Sequence, residues 1–416
     1  MAPRTPLAAS VSPRRLPGRC RRRDALRHES LEQRRLLDAG SLDPAFGIGG
    51  TVTQSLTDQQ DSIRAMAVQA DGKIVCGGFN DFFFAHDFML ARYLPDGTLD
   101  PTFGPGGRGW VDNDLGADDA ILGVAIQPDG KIVAAGTSGN GPAADFVVAR
   151  YDAQGNLDAT FGTGGLVFTD FGGGMSQDQA SSVLLQPDGK IVVAGYTVLG
   201  GTGPLQFAMA RYDTSGTLDP TFGTGGLVVT PVQVTDAAIN SIALQADGRI
   251  VAAGTSRSGD QNFALARYTP AGVLDTTFDP VENDGVVTID LGGDEVGRGV
   301  ALLADGRILV AGYKNDAGGN TGILMRLNGD GSLEGTFGTG GIASTTIGGE
   351  SYAVNGLAVQ QNGRIVMAGE AGDYGSTRFA ASRHNPDGTL DTTFGAGGTV
   401  TTDLPSPTET AYAVVL

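Results

Sequence analysis

The sequence predicts an all-β fold: a β-propeller built from six complete four-stranded repeats of about 58 residues plus a partial seventh. Three observations carry this. The decapeptide Gln127-Pro-Asp-Gly-Lys-Ile-Val-Ala-Ala-Gly136 recurs at 69–78, 186–195, 245–254, 303–312 and 360–369. The Asp or Asn before its turn glycine sits at 71, 129, 188, 247, 305 and 362, in steps of 57 to 59 residues. Helical periodicity is absent from the array, where Gly and Pro recur too often for helices.

The chain opens on a segment without the period, residues 1–40, rich in Arg, Pro and Ala; the repeat domain is 41–416. The opening segment is read as a basic, disordered leader or targeting segment, and it lacks the apolar h-region of a standard secretory signal. Within one repeat, residues 181–186 form an apolar-rich run ending at the turn Pro187-Asp188-Gly189. The β-branched run 190–196 follows, and Asp-Gly between two such runs is a strong hairpin signal because Gly supplies the positive φ. After a Gly-rich loop, Phe207-Ala-Met-Ala-Arg-Tyr212 alternates as a third strand; a turn at 213–216 then leads to a fourth strand over 225–230. The fourth-strand pattern appears seven times, from residues 50–53 to 398–402, whereas the second and third appear six times each. Residues 411–416 read as a seventh first strand, so six blades close the ring or a seventh is left partial with an open edge.

Composition narrows the function classes. Glycine is the commonest residue, 66 of 416, without a collagen-like three-residue period. The leader holds 10 Arg against 4 acids, and the remainder 18 basic against 42 acidic residues. An acidic body repels phosphate backbones, which argues against a nucleic-acid partner. No apolar run reaches the roughly 18 residues of a membrane-spanning helix. Cys20 and Cys76 do not follow the repeat, which supports neither a disulfide framework nor a thiolate site.

The order Q-P-D-G-K-I-V-x-A-G, then F-A-x-A-R-Y-x-x-x-G-x-L-D-x-T-F-G-x-G-G, resembles the delta-60 repeats of bacterial proteins over residues 41–416. That resemblance implies a β-propeller-like fold and no established reaction. The strand layout is also similar to kelch propellers, whose adjacent-glycine signature is not kept here. Leu31-Glu-Gln-Arg-Arg-Leu-Leu-Asp-Ala39 resembles the LE-x-R-x-LL element of bacterial surface and exported proteins, which implies an extracellular or envelope location.

Each third strand carries Arg (Arg92, Arg150, Arg211, Arg267, Arg326, Arg383), and eight residues later stands a carboxylate (Asp100, Asp158, Asp219, Asp275, Glu334, Asp391). Glu334 keeps the charge while the side chain changes, so these pairs are read as structural clamps across a turn. The periodic Thr-Phe-Gly places one core aromatic per unit, and its turn faintly resembles the Asp-box of sialidases. No catalytic set assembles from His28, His86 and His384, so no catalytic residue is assigned. In an up-and-down blade the strand 2–3 loops and 4–1 links share one face, which collects the variable segments. On it Asp112, Asp114, Asp170, Asp290 and Asp294 are calcium candidates, and Phe82, Phe83 and Phe84 a contact loop.

The expected function is a non-catalytic, exported binding scaffold for a protein or glycan, with no cofactor beyond calcium. The alternative is a propeller hydrolase or lyase acting on glycans, with acids in the central channel; raised carboxylate pKa values there would favour it.

Overall fold

The computed structural model describes residues 40–57, 60–82, 85–139, 141–174, 176–232, 236–373, 375–404 and 409–416. Blade 1 comprises β1 (Asp61–Val68), β2 (Ile74–Phe82), β3 (Ala85–Tyr93) and β4 (Trp110–Asn113). Blade 2 comprises β5 (Asp119–Ile126), β6 (Ile132–Ser138), β7 (Asp145–Tyr151) and β8 (Leu166–Thr169). Blade 3 is β9 (Gln177–Leu185), β10 (Ile191–Val198), β11 (Gln206–Tyr212) and β12 (Leu227–Thr230). Blade 4 is β13 (Ala237–Leu244), β14 (Ile250–Ser258), β15 (Asp260–Tyr268) and β16 (Val286–Ile289). Blade 5 is β17 (Asp294–Leu302), β18 (Ile308–Asp316), β19 (Gly319–Leu327) and β20 (Ile342–Thr345). Blade 6 is β21 (Tyr352–Val359), β22 (Ile365–Asp373), β23 (Ser376–His384) and β24 (Thr399–Thr402).

Every sheet is an antiparallel meander in sequence order, so the protein is a six-bladed all-β propeller; short 3₁₀ turns are its only helical pieces among the described residues. The first strand of each blade is innermost, and these six strands together line a central cavity. The second strand, Ile-Val-x-Ala-Gly in the repeat, is buried on both faces because neighbouring blades cover it. That burial explains a continuous apolar run where an exposed sheet would alternate.

Two glycines of the motif have separate causes. The turn glycine has φ near +85° at Gly130, Gly189 and Gly248, a region closed to most side chains. The glycine ending the motif meets a β-bulge in the first strand. A Cβ at Gly195 would lie 1.8 Å from the Gln179 carbonyl oxygen, and one at Gly136 1.8 Å from that of Ala120. The bulge lifts one residue per first strand out of the ladder: Arg64, Leu122, Ser181, Asn240, Arg298 and Asn355.

Neighbouring blades are tied by polar as well as apolar contacts. Tyr212 Oη lies 2.7 Å from Thr169 Oγ1, Tyr268 Oη donates to Thr230 Oγ1 at 2.9 Å, and Tyr151 Oη to Asn113 Oδ1 at 2.7 Å. In each case the third strand reaches the fourth strand of the blade before it. His384, 1% exposed, takes this tyrosine position in blade 6, and its Nδ1 faces the Gly388 carbonyl at 3.1 Å. Burial lowers its pKa, so it sits in the core as a neutral imidazole.

Candidate functional site

The repeated arginines and carboxylates meet across their turns. Arg Nε donates to the acid at 2.8 Å in Arg92–Asp100, Arg150–Asp158, Arg267–Asp275 and Arg383–Asp391, and at 2.9 Å in Arg211–Asp219; Arg326 pairs with Glu334 likewise. All six arginines are nearly buried. Each guanidinium lies over the Phe of its Thr-Phe-Gly, 4.5 Å from the ring centre for Arg211 over Phe222 and 4.7 Å for Arg383 over Phe394.

Two partners of the clamp escape a pairwise reading of the sequence. The guanidinium also donates to a turn carbonyl of the following blade: Arg92 to Ala153 at 2.6 Å, Arg150 to Thr214 at 2.6 Å, Arg211 to Pro270 at 2.5 Å. The same carboxylate takes a second cation from the β1–β2-type turn, Lys73 on Asp100 at 3.2 Å and Lys190 on Asp219 at 3.1 Å. Arg249, Arg307 and Arg364 fill that place in blades 4 to 6, so the basic residue that follows Asp-Gly or Asn-Gly in every repeat was the available signal. Burial opposes ionisation of Asp100, but the Thr102 and Lys73 hydrogen bonds and the Arg92 charge hold it down at about 2. Hydrogen bonds from Arg326 and Thr336 bring Glu334 to about 2 as well.

The 2–3 hairpins and 4–1 links share the opposite face. A cleft of about 260 Å³ opens there between blades 2 and 3, lined among others by His86, Asp118, Asp119, Asp178 and Tyr196. Two carboxylate triads flank it, Asp87–Asp114–Asp119 and Asp145–Asp170–Asp178, each with its oxygens within 4.8 Å of one another. Each triad takes one acid from the start of a third strand, one from the 4–1 link and one from the start of the next first strand. Burial, then the charges of Asp114 and Asp119, raises the pKa of Asp87; burial, then Asp170 and Asp178, raises that of Asp145. Desolvation also raises Asp119 and Asp178, both fully buried.

Of the sequence candidates, Asp114 and Asp170 belong to triads. Asp112 pairs instead with Arg108 at 2.9 Å, Asp290 accepts the Gly292 amide at 2.7 Å, and Asp294 accepts the Gln261 amide at 3.0 Å. Asp87 and Asp145 were missed because the acids were sought in the 4–1 links, whereas these two stand one residue before the third-strand phenylalanine, at an equal place in two repeats. Phe82 ends β2, while Phe83 and Phe84 lie outside the described residues, as does the leader through residue 39.

Asp119 and Asp178 also hold their own links, accepting amides of Leu115 at 2.8 Å and Phe171 at 2.9 Å. Asp61 receives the Leu56 amide at 2.6 Å and Glu409 the Leu404 amide at 2.6 Å in the same way. The acid is thus a folding device repeated around the molecule. The central cavity, about 230 Å³, is different: its charged lining residues are Arg64 and Arg298, beside Ser182, Ser241 and Asn355.

A ring of four-stranded meanders with one arginine clamp per unit defines a repeat β-propeller. The chain belongs to the family described as "Domain of unknown function (DUF5122) beta-propeller", which matches residues 69–103, 127–161, 186–222, 245–278, 303–337 and 360–394. Each match runs from just after a first strand to the clamp phenylalanine. Among solved structures, the chain is similar to the periplasmic gluconolactonase PpgL of Pseudomonas aeruginosa, with a TM-score of 0.52 and 16% identity over 89% of this chain and 93% of that one. It also matches Sqt1 from Chaetomium thermophilum (TM-score 0.42, 14% identity, 80% of this chain and 71% of that one). A PL25 ulvan lyase gives a TM-score of 0.43 and 13% identity over 77% of this chain and 80% of that one. At 16% identity the likeness to PpgL is one of fold alone. No curated protein matches the chain.

Proposed function

We propose that the protein is a non-catalytic, exported binding scaffold that engages a protein or glycan through its 2–3 loop and 4–1 link face. The observation that carries this reading is the repetition of the carboxylates that accept a link amide. Acids that hold their own link backbone in blade after blade are parts of a frame, and the arginines of the central cavity supply cations where the carboxylate pair of a glycoside hydrolase would stand. Export is supported by the resemblance of residues 31–39 to the surface-protein element.

Calcium belongs to the same proposal, with Asp87, Asp114 and Asp119 at one site and Asp145, Asp170 and Asp178 at the other. Three convergent carboxylates repel one another, and a hard divalent cation relieves that repulsion. The test of the scaffold is a panel of neutral and acidic glycans on the full chain, reading binding and new reducing ends together. Binding without cleavage supports it; new reducing ends would transfer the case to the hydrolase or lyase alternative.

We also propose that the ring has a seventh position, filled in part. Residues 40–53 repeat the outer portion of a blade: the Gly47 amide donates to the Asp96 carbonyl at 2.7 Å, as that of Gly104 does to Gln154 at 2.8 Å. Residues 409–416 take the innermost place. Asn355 Nδ2 donates to the Ala411 carbonyl at 3.3 Å, as Asn240 Nδ2 does to that of Gly297 in the next blade at 2.7 Å.

A further inference from the structure

The central cavity runs against the charge of the rest of the molecule. Beyond the leader the chain holds 42 acidic against 18 basic residues, yet the residues lining the cavity include two arginines and no carboxylate. The clamp arginines, the second cations beside them, and Arg108 and Arg378 at the surface all meet an acid. Arg64 and Arg298 meet none and make no hydrogen bond among the described residues; the Nε of each is shut off from water without an acceptor. Burying a cationic donor in this way costs free energy that a bound anion would offset.

Both arginines stand at the bulge of their first strand, between Ile63 and Ala65 in β1 and between Gly297 and Gly299 in β17. The same place in β13 and β21 is held by Asn240 and Asn355, whose short amides reach the Gly297 and Ala411 carbonyls at 2.7 and 3.3 Å. Neither arginine makes such a bond, so framing the ring does not account for a guanidinium here. The Arg64 guanidinium lies 3.9 Å from the Tyr412 ring centre; stacking holds its plane and leaves the in-plane N–H groups to an oxygen ligand. Ser182 and Ser241 line the same cavity. Their Oγ atoms accept the Ile242 and Val300 amides of the following blades, each at 3.3 Å, which leaves each hydroxyl proton to donate.

We infer that the central cavity is a binding site for a small organic dianion, a dicarboxylate held with one acid group on Arg64 and the other on Arg298. The two arginines belong to blades 1 and 5, with blades 2 to 4 between them on one side of the ring. They reach in from separate walls, which suits a ligand with an acid at each end better than one compact oxyanion. Each guanidinium presents a planar pair of donors that matches one carboxylate, and the serine hydroxyls add donors from blades 3 and 4. At about 230 Å³ the cavity is smaller than the ~300–1,000 Å³ of sites for drug-sized ligands, which suits a short acid and excludes an oligosaccharide. The site is separate from the loop face proposed above for a protein or glycan.

The test is calorimetric titration of the full chain with succinate, glutarate and adipate, with acetate at matched ionic strength as the single-acid control. We expect one dicarboxylate per chain, a chain-length optimum among the three acids, and a melting temperature several degrees higher at saturation. Arg298→Gln should weaken binding at least about tenfold, the loss of one charged hydrogen-bonded contact. Its melting temperature without ligand should stay within about a degree of wild type, because Arg298 has no partner in the chain to lose. Arg64→Gln should weaken binding likewise, with a cost in stability of its own from the Tyr412 stack. The inference is overturned if none of the three acids binds, if acetate binds as tightly as they do, or if dicarboxylate binding is indifferent to both substitutions. An Arg298→Gln variant that melts well below wild type without ligand also overturns it, by assigning that arginine to the frame.

Discussion

Arg211 shows how much one side chain carries in this molecule. It meets Asp219, Thr221, the Phe222 ring and the Pro270 carbonyl of the next blade, and it is 5% exposed. Removing it leaves the buried Asp219 with only the partly exposed Lys190 as a cation and the Pro270 carbonyl without this donor, a loss of about 3 kcal/mol. Arg211→Ala should lower the melting temperature clearly, whereas Lys190→Ala, on a partly exposed second cation, should cost about 1 kcal/mol or less. The clamp acids ionise more readily folded than unfolded, where an Asp titrates near about 3.9. Their contribution is therefore complete above that value and is lost as pH falls towards about 2, the folded value of Asp100 and Glu334. Asp219 is likewise held well below the usual carboxylate range, so the gap in stability between wild type and Arg211→Ala should shrink as the pH of the melt is lowered below about 4. An Arg211→Ala variant as stable as wild type at neutral pH would remove the clamp from the account. The Arg-to-acid spacing of eight was legible in the sequence because it recurs six times; the bond to the next blade was not, since it joins residues about sixty positions apart.

At the scale of strands and links, the sequence was read correctly wherever local chemistry decides. Asp-Gly turns, β-branched second strands and alternating third strands stand at the expected places. The first strands begin earlier than their apolar runs, at Gln177 and not at 181, because their polar starts pair with the second strand's far end. The bulge was invisible, although the glycine that tolerates it, such as Gly195, was plain in the motif. The links carry the acidic triads, and calcium is the prediction at this scale. Raised carboxylates favour the protonated folded state, so their contribution is present below the unfolded value and fades as pH rises through the folded one. At neutral pH they weaken the fold, and calcium should raise the melting temperature by several degrees, reversed by chelator. The same melt on Asp87→Asn combined with Asp145→Asn should lose the shift. An unaltered melt of the wild type with calcium would leave the triads as link supports alone.

For the molecule as a whole, stability depends on how the ring is completed. Val414 packs 3.0 Å from the place a Cβ would occupy on Gly356, as Leu357 does beside Gly299 at 2.8 Å, and Arg64 stacks on Tyr412 at 3.9 Å. If residues 409–416 hold the inner seventh place, Val414→Asp replaces a half-buried apolar contact with a charge and should cost about 1–2 kcal/mol in thermal or denaturant unfolding. A neutral effect would place that segment outside the support of the ring. The sequence by itself determined the repeat, the four strands of each unit, the turns and the clamp pairs, because each depends on contacts within about sixty residues that recur six times. Only the tertiary structure decided which side chains face the cavity and which acids converge in triads. Those outcomes depend on a bulge that re-aims one residue per strand and on contacts between blades, and neither leaves a period of its own in the sequence.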